Sequence, residues 1–146
     1  MRVLLTGGSS LLGAGVVRAL NARGDEVVVL QRRPSAVASE LGLTEHLADL
    51  NDADEVGRAM PGVEAVIHLA ARVGVVGSAA QFHEANVTGT RTVLAAAQAN
   101  GVSRFVFISS PSVAQALCTF APLPKSSMSQ KSSCHLTWGC TVPSAY

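Results

Sequence analysis

Short apolar runs with no polar face are the feature that most constrains this chain. "EVVVL" (Glu26 to Leu30) is a continuous β-branched run, and "EAVIHLA" (Glu64 to Ala70) and "RFVFISS" (Arg104 to Ser110) follow the same pattern. With Arg2 to Thr6 they give four segments of strand length. Successive side chains of a strand point to opposite faces, so such runs must be covered on both. Segments with helical periodicity lie between them. Leu11 to Arg23 carries Leu12, Val16 and Leu20 on one face, and Gly24 is placed to end it. Pro34 precedes a short helix expected over Ser35 to Leu41. His46 to Ala48 fits a short third strand. Asn51 then offers a cap for a helix from Asp52 to Met60, with acids in its first turn. A long helix is expected from Ala79 to Asn100, carrying Phe82, Val87, Val93 and Leu94, and stopping at Gly101. Strands alternating with helices at this spacing predict right-handed crossovers and a parallel, doubly wound α/β sheet.

Composition narrows the classes. The 146 residues suffice for one domain that buries roughly two-thirds of its surface. A net charge of +1 argues against a nucleic-acid surface. No apolar run has membrane-spanning length and the start is a strand pattern, so a soluble, cytoplasmic protein is expected. Residues 1–114 hold all 10 acidic residues and no Lys, Cys, Trp or Tyr. Residues 115–146 hold Cys118, Cys134, Cys140, Lys125, Lys131, Trp138 and Tyr146, and no acid. The expected division is a domain at 1–114 and an irregular tail at 115–146, open to reading as out of frame. Three cysteines leave one unpaired in any disulfide scheme, and with His135 they make no zinc spacing, so no metal is expected.

"LLTGGSSLLG" (Leu4 to Gly13) joins the first strand to the first helix. A loop in that position aims backbone N–H groups at one spot, at the positive end of a helix dipole, which suits a pyrophosphate. Glycine is needed there for a tight turn, for close approach to phosphate, and for packing helix on strand. Gly7 and Gly13 hold the first and third of these places, and Ser10 holds the middle one. If that place requires a positive φ, the serine Cβ strains the turn or crowds the phosphates. The alternative is a structural glycine turn. At the end of the second strand, where NAD enzymes usually carry an acid for the ribose 2′-hydroxyl, stand Gln31, Arg32 and Arg33. Guanidinium groups grip a 2′-phosphate, so NADP(H) is a slightly better fit than NAD(H), the alternative being two solvated arginines.

"TGGSSLLG" (Thr6 to Gly13), "ADL" (Ala48 to Leu50), "HLAA" (His68 to Ala71), "EANVTGTRTVLAAA" (Glu84 to Ala97) and "FVFISSPSV" (Phe105 to Val113) together resemble the extended short-chain dehydrogenases/reductases. "SSPSV" and "NVTGT" are most similar to the 3β-hydroxysteroid dehydrogenase branch, beside the epimerases/dehydratases. The resemblance spans residues 1–113. It implies a Rossmann-type sheet of order 3-2-1-4-5, ending here after the fifth strand, with the cofactor cleft at the carboxyl ends of strands 1 and 4. It implies cofactor contacts from Gly7, Ser10, Leu11, Leu12 and Gly13 and, at the ribose end, Arg32 and Arg33. Asp49 and Leu50 are expected on the adenine, with a helix-entry cap as the alternative for Asp49. Leu69, Ala70, Ala71 and Asn86 complete the implied set, Asn86 having the alternative of an ordinary helix residue.

The same resemblance implies a catalytic serine, tyrosine and lysine. Ser110 matches the serine, with Ser109 the nearest competitor and Ser112 a remote one. The Tyr-x-x-x-Lys pair has no match, since Tyr146 is the only tyrosine and neither lysine follows a tyrosine at that spacing. His68 is expected to be a strand-end histidine, lacking an evident carboxylate partner. The reading is therefore the cofactor-binding half of an oxidoreductase that moves hydride between nicotinamide and a secondary alcohol, ketone or sterol, inactive in this short chain. A non-catalytic NAD(P)-binding or sensing protein is the rival. A chain that borrows its other half from a partner is the third possibility, and a homo-oligomer is within the expectation.

Overall fold

A computed structural model describes residues 1–110. The apolar runs form the middle of a five-stranded parallel sheet. Its strands are β1 (Arg2–Thr6), β2 (Glu26–Gln31), β3 (Thr44–Leu47), β4 (Ala65–His68) and β5 (Arg104–Phe107), in the order β3-β2-β1-β4-β5. This is the order and direction expected. Leu4 pairs with Val28 and Val66, and Thr6 with Leu30 and His68, so the strands run in step to one carboxyl edge.

Alternate residues feed two cores. Leu4, Val28, Leu30 and Val66 point to one face and meet Val56, Met60, Val93 and Ala97 from helices α3 (Ala53–Arg58) and α5 (Gly89–Ala99) and the segment after α3. Val3, Leu5, Val27 and Val29 point to the other and meet Val17, Leu20, Val37 and Ala38 from α1 (Leu11–Ala22) and α2 (Ala36–Glu40). Both faces are covered, which is why these strands show no polar alternation.

The departures from expectation have local causes. β3 is Thr44–Leu47 rather than His46–Ala48, because its register on Val28 to Gln31 is set by edge pairing and not by an apolar run. The buried stripe of α1 is Gly13, Val17 and Leu20, whereas Leu12 is 57% exposed, so the helix turns one position from the expected face. The cap of α3 is Asp52 rather than Asn51, its carboxylate accepting from Glu55 N at 3.1 Å. The long helix is interrupted. After α4 (Ala79–His83), Glu84–Thr88 forms a π-helical turn that continues into α5. Thr90 Oγ1 donates to Asn86 O at 2.7 Å and Thr92 Oγ1 to Thr88 O at 3.2 Å, back-bonding that perturbs a helix ladder. Gly24 and Gly101 end their helices with φ of 82° and 68°, as expected. Val93 lies in the core while Leu94 is exposed. β4 and β5 stop earlier than expected, at His68 and Phe107. Residues 111–146, which include Ser112, the tail 115–146 and its cysteines, lie outside the described residues.

Leu4 is fully buried at the centre of β1, between Val28 and Val66. Leu4→Ala should cost about 2–5 kcal/mol, read as a lower urea midpoint with an unchanged denaturant slope.

Candidate functional site

The β1–α1 loop turns where a side chain would not fit. Gly7 has φ of 78°, and a Cβ on it would lie 2.8 Å from Ala70 N, beyond the end of β4. A Cβ on Gly13 would lie 2.2 Å from Gly7 O, closer than any real contact. Ser10 overturns the expectation of strain. Its φ is −74°, ordinary extended backbone, and it is the N-cap of α1. Its Oγ accepts from Gly13 N at 3.0 Å and donates to Gly7 O at 2.9 Å. A serine here supplies a cap that glycine lacks. Leu11 and Leu12 open the helix with exposed side chains, and the N–H groups of a first turn have no intrahelical acceptor.

Beside this loop a cleft of about 560 Å³ opens at the carboxyl edge of the sheet. Gly7 and Ser10 lie at its base, Arg32 and Arg33 on the β2 side, Asp49 and Leu50 beyond β3, and Leu69, Ala70 and Ala71 on the β4 side. The structure thus brings nine of the expected residues together. Leu11, Leu12, Gly13, Asn86 and Ser110 do not line it. Sequence reading missed Asn51, Arg72, Gln81 and Glu84 on its wall. Their only signal is position: Asn51 follows "ADL", Arg72 follows "HLAA", and Gln81 and Glu84 lie on the helical segment after it.

Several of these side chains have partners that define their roles in the fold. Gln31 is buried, accepts from Ser9 N at 3.0 Å and donates to Glu45 Oε1 at 2.6 Å. It therefore braces the loop against β3, leaving Arg32 and Arg33 exposed, and neither makes an ion pair among the described residues. Asp49 is not the helix cap. Its Oδ1 accepts from Asn51 N at 3.0 Å in a turn, and the residue is exposed on the cleft. Asn86 is more than an ordinary helix residue. From the π-helical turn its Oδ1 accepts from Arg72 N at 2.7 Å and its Nδ2 donates to Arg72 O at 2.9 Å. Ser110 is exposed, beyond the end of β5.

His68 is buried between β1 and α5, its Nδ1 2.8 Å from Thr6 Oγ1 and its Nε2 2.9 Å from Thr90 Oγ1. Burial pushes its pKa below the ordinary imidazole value, so the ring is neutral. Hydroxyls, not a carboxylate, satisfy it. No group of three His, Cys, Asp or Glu among the described residues could hold a metal, and no described helix is long and apolar enough to cross a membrane.

A glycine-lined helix N-terminus at the carboxyl edge of a parallel sheet, beside the point where the strand order reverses, is the arrangement of a Rossmann-type α/β fold. The family model described as "NAD dependent epimerase/dehydratase family" matches residues 3–140, and the chain belongs to that family. It is 40% identical over 113 residues to the 2-alkyl-3-oxoalkanoate reductase of Stenotrophomonas maltophilia, covering 77% of this chain and 34% of that protein. It is 37% identical to the 3-beta-hydroxysteroid dehydrogenase of Mycolicibacterium neoaurum, covering 77% and 32%. Among solved structures, a short-chain dehydrogenase/reductase superfamily protein of Agrobacterium tumefaciens with bound NAD superposes with a TM-score of 0.69 at 38% identity. That match covers 77% of this chain and 34% of that one. The chain therefore spans about a third of the length of these relatives.

Ser10 supplies the test of the loop. Ser10→Ala should cost about 1 kcal/mol of stability, and Ser10→Gly only a few tenths, measured by urea unfolding. Equal losses would show that the hydroxyl does not act as a cap.

Proposed function

We propose that this chain is the dinucleotide-holding part of an oxidoreductase that moves hydride between nicotinamide and a secondary alcohol or ketone. The observation that carries the reading is the capped, Cβ-free loop of Gly7 to Gly13 at the base of the cleft. In this reading the α1 N-terminus and the N–H groups of Leu11 and Leu12 hold the pyrophosphate. Asp49 accepts from the adenine amino group, with Leu50 beside the ring. Leu69, Ala70 and Ala71 form the wall along the cofactor, shaped by Asn86 through Arg72. Bound there, the nicotinamide supplies or accepts the hydride. Ser110 donates to the substrate oxygen, where charge develops in the transition state.

The names of the relatives support a ketone, β-oxo acid or sterol as the class of substrate. The cytoplasm, where dinucleotide is abundant, is the setting we assign. A proton donor of the Tyr-x-x-x-Lys kind is absent from the 146 residues. The second reading is a dinucleotide-binding protein without turnover. A positioned acid/base contributes about 10²–10⁴-fold in rate, so in either reading this chain alone binds dinucleotide and leaves alcohols and ketones unchanged.

Arg32 and Arg33, exposed beside the cleft and without an ion pair among the described residues, favour NADPH over NADH. Replacing both by alanine should weaken NADPH binding about tenfold or more and leave NADH nearly unchanged, measured by fluorescence titration. Equal losses for both cofactors would mean that the arginines do not meet the 2′-phosphate.

Turnover is tested by joining residues 1–114 to the downstream segment of a full-length relative. The joined protein should oxidise or reduce secondary alcohols and ketones, and Ser110→Ala should lower its kcat about 10²–10³-fold. Turnover by the 146-residue chain alone, lost in Ser110→Ala, would overturn the expectation that this chain leaves alcohols and ketones unchanged. Dinucleotide binding without turnover by the joined protein would favour the second reading.

A further inference from the structure

The hydrogen-bond partners of His68 leave one consistent placement of protons. Thr90 Oγ1 donates its only proton to Asn86 O at 2.7 Å. It must therefore accept from His68, which puts the hydrogen on Nε2. Nδ1 of the neutral ring is then an acceptor, and Thr6 Oγ1 donates to it at 2.8 Å. Thr6 Oγ1 itself accepts from Ala70 N at 3.1 Å. The chain of bonds runs in one direction: Ala70 N–H to Thr6, Thr6 to His68, His68 to Thr90, and Thr90 to the Asn86 carbonyl. The Asn86 carboxamide then closes on both backbone groups of Arg72. Ala70 and Arg72 flank Ala71, and all three line the cleft.

We infer that His68 is a positioning residue that, as the neutral Nε2–H tautomer, fixes the Ala70–Arg72 wall of the cleft from both ends. It holds Ala70 through Thr6 on β1, and Arg72 through Thr90 and Asn86 on the π-helical turn. That turn places Asn86 and Thr90 within one network, which accounts for a break in an otherwise regular helix. The device goes beyond the dinucleotide reading and rests on it only for what the wall contacts.

Protonation is what the network cannot accommodate. A hydrogen on Nδ1 would meet the Thr6 hydroxyl hydrogen, forcing Thr6 to turn its proton elsewhere. The groups facing the ring are Thr6 from β1, Thr90 from α5, and Phe105 and Phe107 from β5, at ring-centroid distances of 6.1 and 5.8 Å. None of them carries charge or titrates, so among these groups no anion offsets the cost of burying an imidazolium. Burial lowers the folded-state pKa from about 6.5, so the unfolded chain takes up the proton first. The contribution of the neutral ring is thus fully present above about 6.5 and is lost as pH falls from there through the lower folded value. The wall of the cleft, a property of the folded chain, should loosen as pH falls through that lower folded value.

The test uses the full 146-residue chain labelled with ¹⁵N. Two-bond nitrogen–proton spectra should show His68 as the Nε2–H tautomer at neutral pH, titrating below about 6.5. The backbone amides of Ala70 and Arg72 should shift with the same midpoint. An Nδ1–H tautomer, or a titration to which neither amide responds, overturns the proposal. A second arm compares Thr90→Val, which leaves the Nε2–H without an acceptor, with Thr90→Ser, which keeps one. NADH affinity should fall about tenfold in the valine variant and stay within about twofold of the parent in the serine variant. Equal affinities in a chain that binds NADH overturn the coupling to the cleft. If the parent binds no dinucleotide, the reading of the cleft fails, and the spectra still decide the role of His68.

Discussion

The close approach of the β1–α1 loop to the end of β4 is the contact on which the site depends. A Cβ on Gly7 would sit against the backbone of Leu69 and Ala70, and one on Gly13 against the Gly7 carbonyl. Both obstacles are backbone, which cannot swing aside as the end of a side chain can. The pairing of β1 with β4 fixes how near the two strand ends come, and the missing Cβ atoms let the loop occupy the space that remains. Helix α1 can then lay Gly13, Val17 and Leu20 on the sheet while its N-terminus stays at the carboxyl edge. Fold and site share one geometric condition.

Polar brackets hold the rest of the edge in place. Gln31 ties Ser9 of the loop to Glu45 of β3, and Glu45 also accepts from Ser35 N, the cap of α2. On the other side the bonds through His68 and Asn86 hold the segment after β4. These groups are buried or partly buried, so leaving one unpaired costs about 1–3 kcal/mol, more than a surface ion pair returns. The brackets turn inward, and Arg32 and Arg33 stay exposed beside the cleft, without an ion pair among the described residues.

How much was legible depends on whether a signal is local. The cover on both faces of the sheet was legible because β1, β2 and β4 are apolar on both faces, and the strand order came from the family resemblance. β3 was misplaced because an edge strand with exposed Thr44 and Leu47 has no such signature. The face of α1 was off by one position because a buried glycine such as Gly13 carries no hydrophobic signal. The π-helical turn was invisible, since it depends on Thr90 bonding backward and on Gly89 approaching Leu50, where a Cβ would lie 3.1 Å away. In the site, glycine spacing located the loop, but the same spacing suggested strain at Ser10, where the backbone shows a cap. Arg72, Gln81 and Glu84 reach the cleft only through tertiary packing. His68 closes β4 as expected, while its two hydroxyl partners, Thr6 and Thr90, come from other elements and have no local signal.

Relatives named for reductase, dehydrogenase and epimerase activities match the same stretch of this chain. What they have in common there can only be what those reactions share. A loop that holds phosphates does not distinguish a β-oxo acid from a sterol or a nucleotide sugar, because none of the substrate's own features meets it. Discrimination between such substrates requires contacts to the parts in which they differ. The described 110 residues place the Leu69–Ala71 wall of the cleft, a serine beyond the end of β5 and a loop of exposed valines, Val73, Val75 and Val76, after that wall. Binding of dinucleotide and choice of substrate are therefore separable properties in this fold, the first set by backbone geometry and the second by side chains arranged around it.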